Sequence, residues 1–219
     1  CLYAPGRLFF CSPGNGRKTA IEKGQQMKVF RFFAMAAALT AVLLAAPADG
    51  QAAEPTVKLE TSMGDIVVQL NSRKAPLSTA NFLQYVKSGF YDGTIFHRVI
   101  KGFMIQGGGL TQDMKEKSGH APIKNEASNG LRNQRYTIAM ARTSDPDSAT
   151  SQFFINTVNN RFLDADKAQD GVGYAVFGEV IKGTDVVRKI EVVPTTTHGN
   201  YQDVPATPVV IKSATVLSE

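Results

Sequence analysis

The sequence predicts a mainly-β domain, a closed eight-stranded antiparallel β-barrel capped by two α-helices. From residue 57 onwards, apolar residues recur with period two or in short runs, which is the spacing typical of strands. Turn-forming residues interrupt this pattern every 6 to 12 positions, which favours an all-β domain over βαβ repeats. About eight strands result, and closing them into a barrel leaves no exposed sheet edge.

The elements follow in chain order. Strands at 57–61 and 66–70 flank a turn at 62–65 and predict a hairpin. Pro76 opens a helix of about three turns, and Gly89 ends it. Further strands are predicted at 94–100, 103–106, 137–142, 152–156, 174–180 and 209–216, and a second helix, capped by Thr184, extends to about Ile190.

Two stretches break the strand pattern. Three consecutive glycines at 107–109 predict the end of the strand before them. Residues 110–134 form a stretch of 25 residues without periodicity, and loops of that length are usually functional or mobile.

Charge and cysteine are unevenly distributed along the chain. Residues 1–53 carry six Lys or Arg and two acidic residues, which accounts for +4 of the net charge of +5. The remaining residues, 54–219, have 18 basic and 17 acidic side chains. A region so balanced gives no electrostatic reason to bind nucleic acid or an anionic membrane. Both cysteines, Cys1 and Cys11, precede residue 54, so a disulfide scaffold and thiol catalysis are excluded from 54–219.

Residues 27–53 have the pattern of a secretory signal peptide. A basic stretch from Met27 to Arg31 precedes fifteen residues, 32–46, broken only by Thr40. That run falls short of the ~20 residues that a spanning helix needs, so we expect cleavage after Ala48, Ala52 or Ala53 and no stable membrane insertion afterwards. Residues 1–26 lack an initiator Met, and we hypothesise that they are mis-assigned upstream sequence.

Polar donors stand beside large apolar residues on three predicted strands. By strand alternation, Arg98 shares a face with Phe96 and Ile100, Gln106 with Met104, and Gln152 with Phe154. A groove lined in this way would hold an apolar ring and hydrogen-bond a neighbouring amide.

Several motifs in the same region resemble one protein family. The segment 96–108 reads FHRVIKGFMIQGG and resembles the signature of the cyclophilin-type peptidyl-prolyl isomerases. The blocks SQFFIN at 151–156, IAMAR at 138–142 and VFG at 176–178 fit the family in order and spacing. The resemblance covers nearly all of residues 56–217. With the loop segments 124–127 and 130–133 and the leader, it is most similar to bacterial periplasmic cyclophilins, which implies a periplasmic isomerase domain at 54–219.

The resemblance implies a role for each site residue. Arg98 and Gln106 would be the catalytic residues, with Arg98 acting on the substrate amide and Gln106 orienting it. The remaining residues would bind substrate: Phe103, Met104, Phe154 and Leu163 as the proline pocket, Gln152 with the backbone of Ala141 and Arg142 along the flanking peptide, and also Phe162 and Tyr174. The implied partners are proline-containing unfolded or partly folded polypeptides, and the implied state is a monomer without metal or cofactor.

Some positions depart from the best-known eukaryotic pattern. Arg142 stands where Asn is usual, Phe162 where Trp is usual, and Tyr174 where His is usual. Because the family uses the backbone at the first of these positions, we expect the change to Arg142 to matter little. Lys101 replaces a frequent Pro, for which we have no physical account.

Other functional classes fit less well. Ser151, His97 and Asp145 lack the nucleophile-elbow signature of a serine hydrolase. The three histidines are too dispersed for a metal motif. The rival that remains is a chaperone or binding module that uses the same groove without catalysis, and Arg98 argues against it because a pure binder would not need that donor.

Overall fold

The computed structural model describes residues 53–219 as strands around a central core with two helices. In chain order the elements are β1 (Thr56–Thr61), β2 (Gly64–Leu70), α1 (Pro76–Lys87), β3 (Thr94–Ile100), β4 (Met104–Thr111), β5 (Thr137–Met140), β6 (Phe153–Asn156), β7 (Val176–Lys182), α2 (Thr184–Glu191), β8 (Thr195–His198), β9 (Tyr201–Pro205) and β10 (Ile211–Ser218). The predictions for residues 1–52 lie outside the described residues. None of the described helices is both long enough and apolar enough to cross a membrane.

Eight strands form one antiparallel sheet in the order β10-β1-β2-β7-β5-β6-β4-β3. The mainly-β class with eight strands and two helices is confirmed, but the predicted closure is not: the sheet is open and curled. Its edge strands meet through a bridge between Ile95 and Val210 and two hydrogen bonds of 2.9 Å, Gly93 N–H to Ile211 O and Phe96 N–H to Val209 O. The ladder stays short because Pro208 lacks an N–H and β3 has a bulge after Phe96. The hairpin of β8 and β9 was not predicted, and β9 lies alongside the β3 edge.

Both helices pack their apolar residues into the interior core. Phe82 of α1 contacts Phe153 and Phe177, with ring centroids 5.5 and 5.3 Å apart, and α2 buries Val187 and Ile190 completely. The prediction that Thr184 caps α2 is wrong, since the N-cap is Gly183 and no side chain caps the helix. Gly183 has a φ of 88°, and a Cβ there would lie 2.1 Å from the carbonyl oxygen of Asp65. Only glycine therefore fits at this position.

The glycines at 107–109 continue β4 rather than ending it, which corrects the predicted break. A Cβ on Gly107 would approach Ile95 O within 2.8 Å, and one on Gly108 would approach the Phe153 ring within 2.7 Å. Neighbouring atoms therefore fill the space that side chains would need. Other strand ends differ from the predicted ones by up to two residues, as is usual when ends are read from patterns.

The long loop that follows β4 is tied to the rest of the domain at several points. Its Glu126 carboxylate accepts hydrogen bonds from the N–H groups of Leu77 and Ser78, at 2.9 and 2.8 Å, and so caps the N-terminus of α1. The N–H of His120 donates to the Tyr85 hydroxyl at 2.7 Å. Hydrogen bonds between the loop and α1 thus hold the loop in place, although its sequence lacks periodic apolar residues.

Candidate active site

One row of side chains crosses four neighbouring strands on the outer face of the sheet. Arg98 on β3 pairs with Gln106 on β4, Gln106 with Phe154 on β6, and Phe154 with Ala139 on β5. Directly paired residues point to the same side of a sheet and lie about 5 Å apart. Strand register alone therefore brings the predicted donors Arg98 and Gln106 together with Phe154.

A β-bulge in β3 sets the direction of Arg98. The register with β4 shifts between Phe96 and Arg98, so Phe96 packs inward, with its ring centroid 6.1 Å from that of Phe153. The prediction that Phe96 and Arg98 share a face is therefore wrong, because an extra residue in one strand reverses the alternation that follows it. Arg98 faces outward together with Ile100.

These outward residues line a cavity of about 120 Å³, which we call the outer groove. Its lining consists of Arg98, Phe103, Met104, Gln106, Ala141, Arg142, Phe154, Leu163 and Tyr174. All nine belong to the predicted site set. Met104, Phe154 and Leu163 belong to an apolar cluster separate from the interior core, so the groove has an apolar floor of its own.

Arg98 brings an unneutralised positive charge to this apolar surface. Among the residues that the structure describes, none of the ion pairs includes Arg98. A guanidinium without a carboxylate partner keeps its N–H groups available for a bound amide. The preceding residue, His97, is 4% exposed; burial and then the charge of Arg98 lower its pKa to about 4, against a hydrogen bond from its ring to the Ile95 backbone that raises it.

Gln106 is held by Gln152, which does not itself line the cavity. The side-chain amide of Gln106 donates to Oε1 of Gln152 at 3.0 Å. Gln152 lies directly over Gly109, where a Cβ would be 2.5 Å from its Cγ. The absence of a side chain at Gly109 thus lets Gln152 lie flat and orient Gln106, a role that the sequence analysis did not foresee.

We call Arg98, Met104, Gln106 and Phe154 the strand wall, and Arg142, Leu163 and Tyr174 the loop wall, since the latter lie in the segments between strands. Buried amides fix the loop wall. The side chain of Asn160, a residue 2% exposed, donates to Phe103 O at 2.8 Å, and its backbone carbonyl accepts from the Leu163 N–H at 2.9 Å. Asn160 also donates to Asn156, and Asn156 to Asn133.

Sequence reasoning missed this chain of amides. Asn133 N–H donates to the buried Asp164 carboxylate at 2.7 Å, and its side chain donates to Tyr174 O at 3.4 Å. Asparagine is common in loops, so its residue type alone gave no signal. The only indication of these amides in the sequence was that Asn156 ends the apolar strand β6 and that Asn160 follows it closely.

Comparison with known proteins decides the family. The model of the cyclophilin-type peptidyl-prolyl cis-trans isomerases matches residues 56–216. This chain is a cyclophilin-type isomerase. The peptidyl-prolyl cis-trans isomerase of Acinetobacter baylyi is 60% identical over 166 residues, which are 76% of this chain and 87% of that protein. Peptidyl-prolyl cis-trans isomerase A of Dickeya dadantii is 54% identical over 187 residues, 84% of this chain and 97% of that protein.

A solved cyclophilin also shares the fold. The Cryptosporidium parvum cyclophilin-type isomerase, crystallised in the presence of the dipeptide Ala-Pro, is 29% identical, with a TM-score of 0.63 over 75% of this chain and 99% of that one. Within the described part of this cyclophilin, no group of three or more His, Cys, Asp or Glu side chains could hold a metal ion.

Two positions that depart from the eukaryotic pattern differ in how they contribute to the groove of this cyclophilin. Phe162 does not line the cavity; it is 58% exposed and stacks on Phe103 with ring centroids 5.6 Å apart. Arg142 does line it, and its guanidinium lies 4.4 Å from the centroid of Tyr174. The expectation that Arg142 contributes little beyond its backbone therefore leaves out a side chain that forms part of the loop wall.

The backbone beside Arg142 is partly engaged already. The N–H of Ala141 donates to Gln152 O at 3.0 Å, which leaves the Ala141 carbonyl and the Arg142 backbone to face a peptide. The roles assigned to these residues, to Gln152 and to Phe162 remain predictions.

Proposed function

We propose that this cyclophilin accelerates X-Pro isomerisation during the folding of exported proteins, and that it acts in the periplasm after its signal peptide is removed. The observation that carries the catalytic part is Arg98, a guanidinium without an ion-pair partner in the described domain, at the edge of an apolar groove. The ligands are proposed to be proline-containing segments of unfolded chains. The Cryptosporidium relative crystallised in the presence of Ala-Pro supports that ligand class.

The chemistry requires rotation about a bond and no bond cleavage. Amide resonance gives that rotation a barrier of ~18 to 20 kcal/mol, and uncatalysed exchange takes roughly 10 to 100 s. In the twisted transition state the proline nitrogen regains a basic lone pair. A donor placed near this nitrogen binds the twisted amide better than either planar isomer, which is the condition for catalysis.

The groove residues match these demands. The apolar floor of Met104, Phe154 and Leu163 takes the proline ring out of water, and Arg98 donates to the twisted nitrogen. Gln106, held by Gln152, orients the neighbouring carbonyl. A turnover of about 10 to 10³ per second requires roughly 4 to 7 kcal/mol of barrier lowering. One preorganised donor supplies about 3 to 4 kcal/mol, and orientation with desolvation supplies the rest.

Exchange between cis and trans proline peptides, measured by NMR, tests the catalytic part and separates it from a binding module without catalysis. At substoichiometric concentration, the wild-type protein is expected to broaden the cis and trans signals of the peptide or to produce exchange cross-peaks between them. Binding of the peptide without any gain in exchange rate would instead favour the non-catalytic chaperone.

The proposal for the periplasm rests on the leader sequence. The match to Dickeya dadantii isomerase A covers 84% of this chain, a larger share than residues 53–219 represent, so it extends into the leader. N-terminal sequencing of the protein from a periplasmic extract is expected to give a chain that starts directly after Ala48, Ala52 or Ala53. Recovery of a chain that retains residues 27–46, in the cytoplasmic fraction only, would contradict it.

A further inference from the structure

We infer that Asp170, which does not line the outer groove, determines its peptide specificity by holding the Arg142 guanidinium against Tyr174 and cancelling its charge. The groove then offers a bound peptide one unneutralised guanidinium, that of Arg98, instead of two. This inference rests on the proposed binding of proline peptides in the outer groove.

The Arg142 side chain is fully engaged by its surroundings. It is 3% exposed and forms an ion pair with Asp170 through Nη2. Its Nη2 and Nε donate to Gly173 O at 3.0 and 3.2 Å, and its Nη1 donates to Thr143 O at 2.9 Å. With its plane over Tyr174, the guanidinium has one fixed position in the loop wall.

Asp170 is fixed as firmly as its partner. Its Oδ1 accepts hydrogen bonds from the N–H groups of Val172 and Gly173, both at 3.0 Å, while its Oδ2 accepts from Arg142. These donors, Arg142 first, hold the pKa of Asp170 well below its usual range. Gly173 itself has no room for a side chain, since a Cβ would lie 2.7 Å from Leu163 O.

The electrostatic consequence concerns the residues that flank proline in a peptide. Arg98 and Arg142 line the same cavity of about 120 Å³. Without the Asp170 charge, Arg142 would be a nearly buried cation without a partner, and a carboxylate on the peptide would be the nearest means of neutralising it. Asp170 thus keeps the groove from preferring acidic sequences.

Asp170→Asn tests this inference, because the amide oxygen can still accept from Val172 and Gly173 while the charge is lost. The matched control is Asp166→Asn: Asp166 is an exposed aspartate of the same loop that pairs with an arginine outside the groove, Arg132. NMR titration gives Kd, and exchange gives the isomerisation rate, for two peptides that differ only in having Glu or Ala before proline.

In D170N the ratio of Glu-Pro to Ala-Pro affinity is expected to rise by about fivefold, the size of one weak ion pair. The gain is expected to disappear in about 0.5 M salt, which screens such pairs. D166N should keep the wild-type ratio. The double variant R142Q/D170N should return to it, because both charges are gone.

Should D170N fail to fold, Arg142→Gln alone tests the inference, with an expected change in the opposite direction. It leaves the Asp170 carboxylate unpaired and is expected to lower the ratio of Glu-Pro to Ala-Pro affinity. A wild-type ratio in folded D170N, or an equal rise in D166N, overturns the inference. Absence of catalysed exchange in the wild type overturns the proposed isomerase role instead, while the Kd ratios still decide the role of Asp170.

Discussion

The strand wall and the loop wall of the outer groove hold their side chains by different means. Arg98, Gln106 and Phe154 are adjacent because three strands pair in register, and a single side-chain hydrogen bond, from Gln106 to Gln152, refines this arrangement. Leu163 and Tyr174 are placed by buried amides and by Asp164. A change at Arg98 or Gln106 of the strand wall should therefore alter the chemistry with little effect on stability, while a change behind the loop wall should alter stability and peptide affinity together.

The largest expected effect is on the strand wall. Arg98→Ala removes the donor to the twisted amide and is expected to lower the isomerisation rate by about 10²-fold or more. Arg98→Lys should recover little of it, because an ammonium lacks the planar fork that can address nitrogen and carbonyl together. Peptide exchange by NMR measures the rate, and thermal melting serves as the control. A near-normal rate in Arg98→Ala with an unchanged melting curve would contradict the role of Arg98.

The next effect concerns His97, buried beside Arg98 in the bulge that aims the strand wall. Its pKa of about 4 in the folded protein lies below the ordinary value of about 6.5, so between these pH values the unfolded chain binds a proton that the folded one does not. Stability should therefore fall by up to roughly 3 kcal/mol as pH decreases from 6.5 to 4. Urea unfolding at a series of pH values measures this. His97→Gln should flatten the slope in that window, and an equal slope in both proteins would count against His97.

The third effect is on the loop wall. Asn160→Ala removes the donor to Asn156 Oδ1 and one of two donors to Phe103 O, which keeps the Thr157 N–H, and is expected to cost about 1 to 3 kcal/mol of unfolding free energy. Peptide affinity should weaken as well, because Phe103, which lines the groove, loses the hydrogen bond from the Asn160 side chain. The exposed neighbour Asn159 is the matched control: its side chain accepts one exposed hydrogen bond, from the Arg135 N–H, so Asn159→Ala should cost less than about 1 kcal/mol. Equal losses in the two variants would show that the buried amide does not position the wall.

The smallest effect returns to the strand wall. In Gly109→Ala the new methyl group must displace Gln152, which breaks its hydrogen bond to Gln106, worth about 1 kcal/mol. The isomerisation rate is expected to fall by about threefold to tenfold, as the loss of one such bond predicts, and the melting temperature by only a few degrees. In a Gln152→Ala background the same change should have no further effect. A full additional loss there would disprove the link through Gln152.

Part of the site could be predicted from sequence because strands have a fixed alternation. Gln106 with Met104, and Gln152 with Phe154, require only that period. The family resemblance added the residues of the loop wall, which no periodicity indicates. Phe96 was assigned to the wrong face, since a bulge depends on how β3 pairs with β4 and leaves no mark in β3 alone. Asn160 and Asp170 were not foreseen, because their partners lie 57 and 28 positions away along the chain.

By itself the sequence determined the mainly-β class, the two helices and the chemical character of the groove, because apolar period and turn residues act over a few neighbouring positions. Only the tertiary structure decided that the sheet stays open, that the three glycines continue β4, and that Arg142 is paired. Each of these depends on atoms brought together from distant segments, such as the Phe153 ring against Gly108 or the Asp170 carboxylate against Arg142. Steric fit and charge pairing of that kind exist only once the chain has folded.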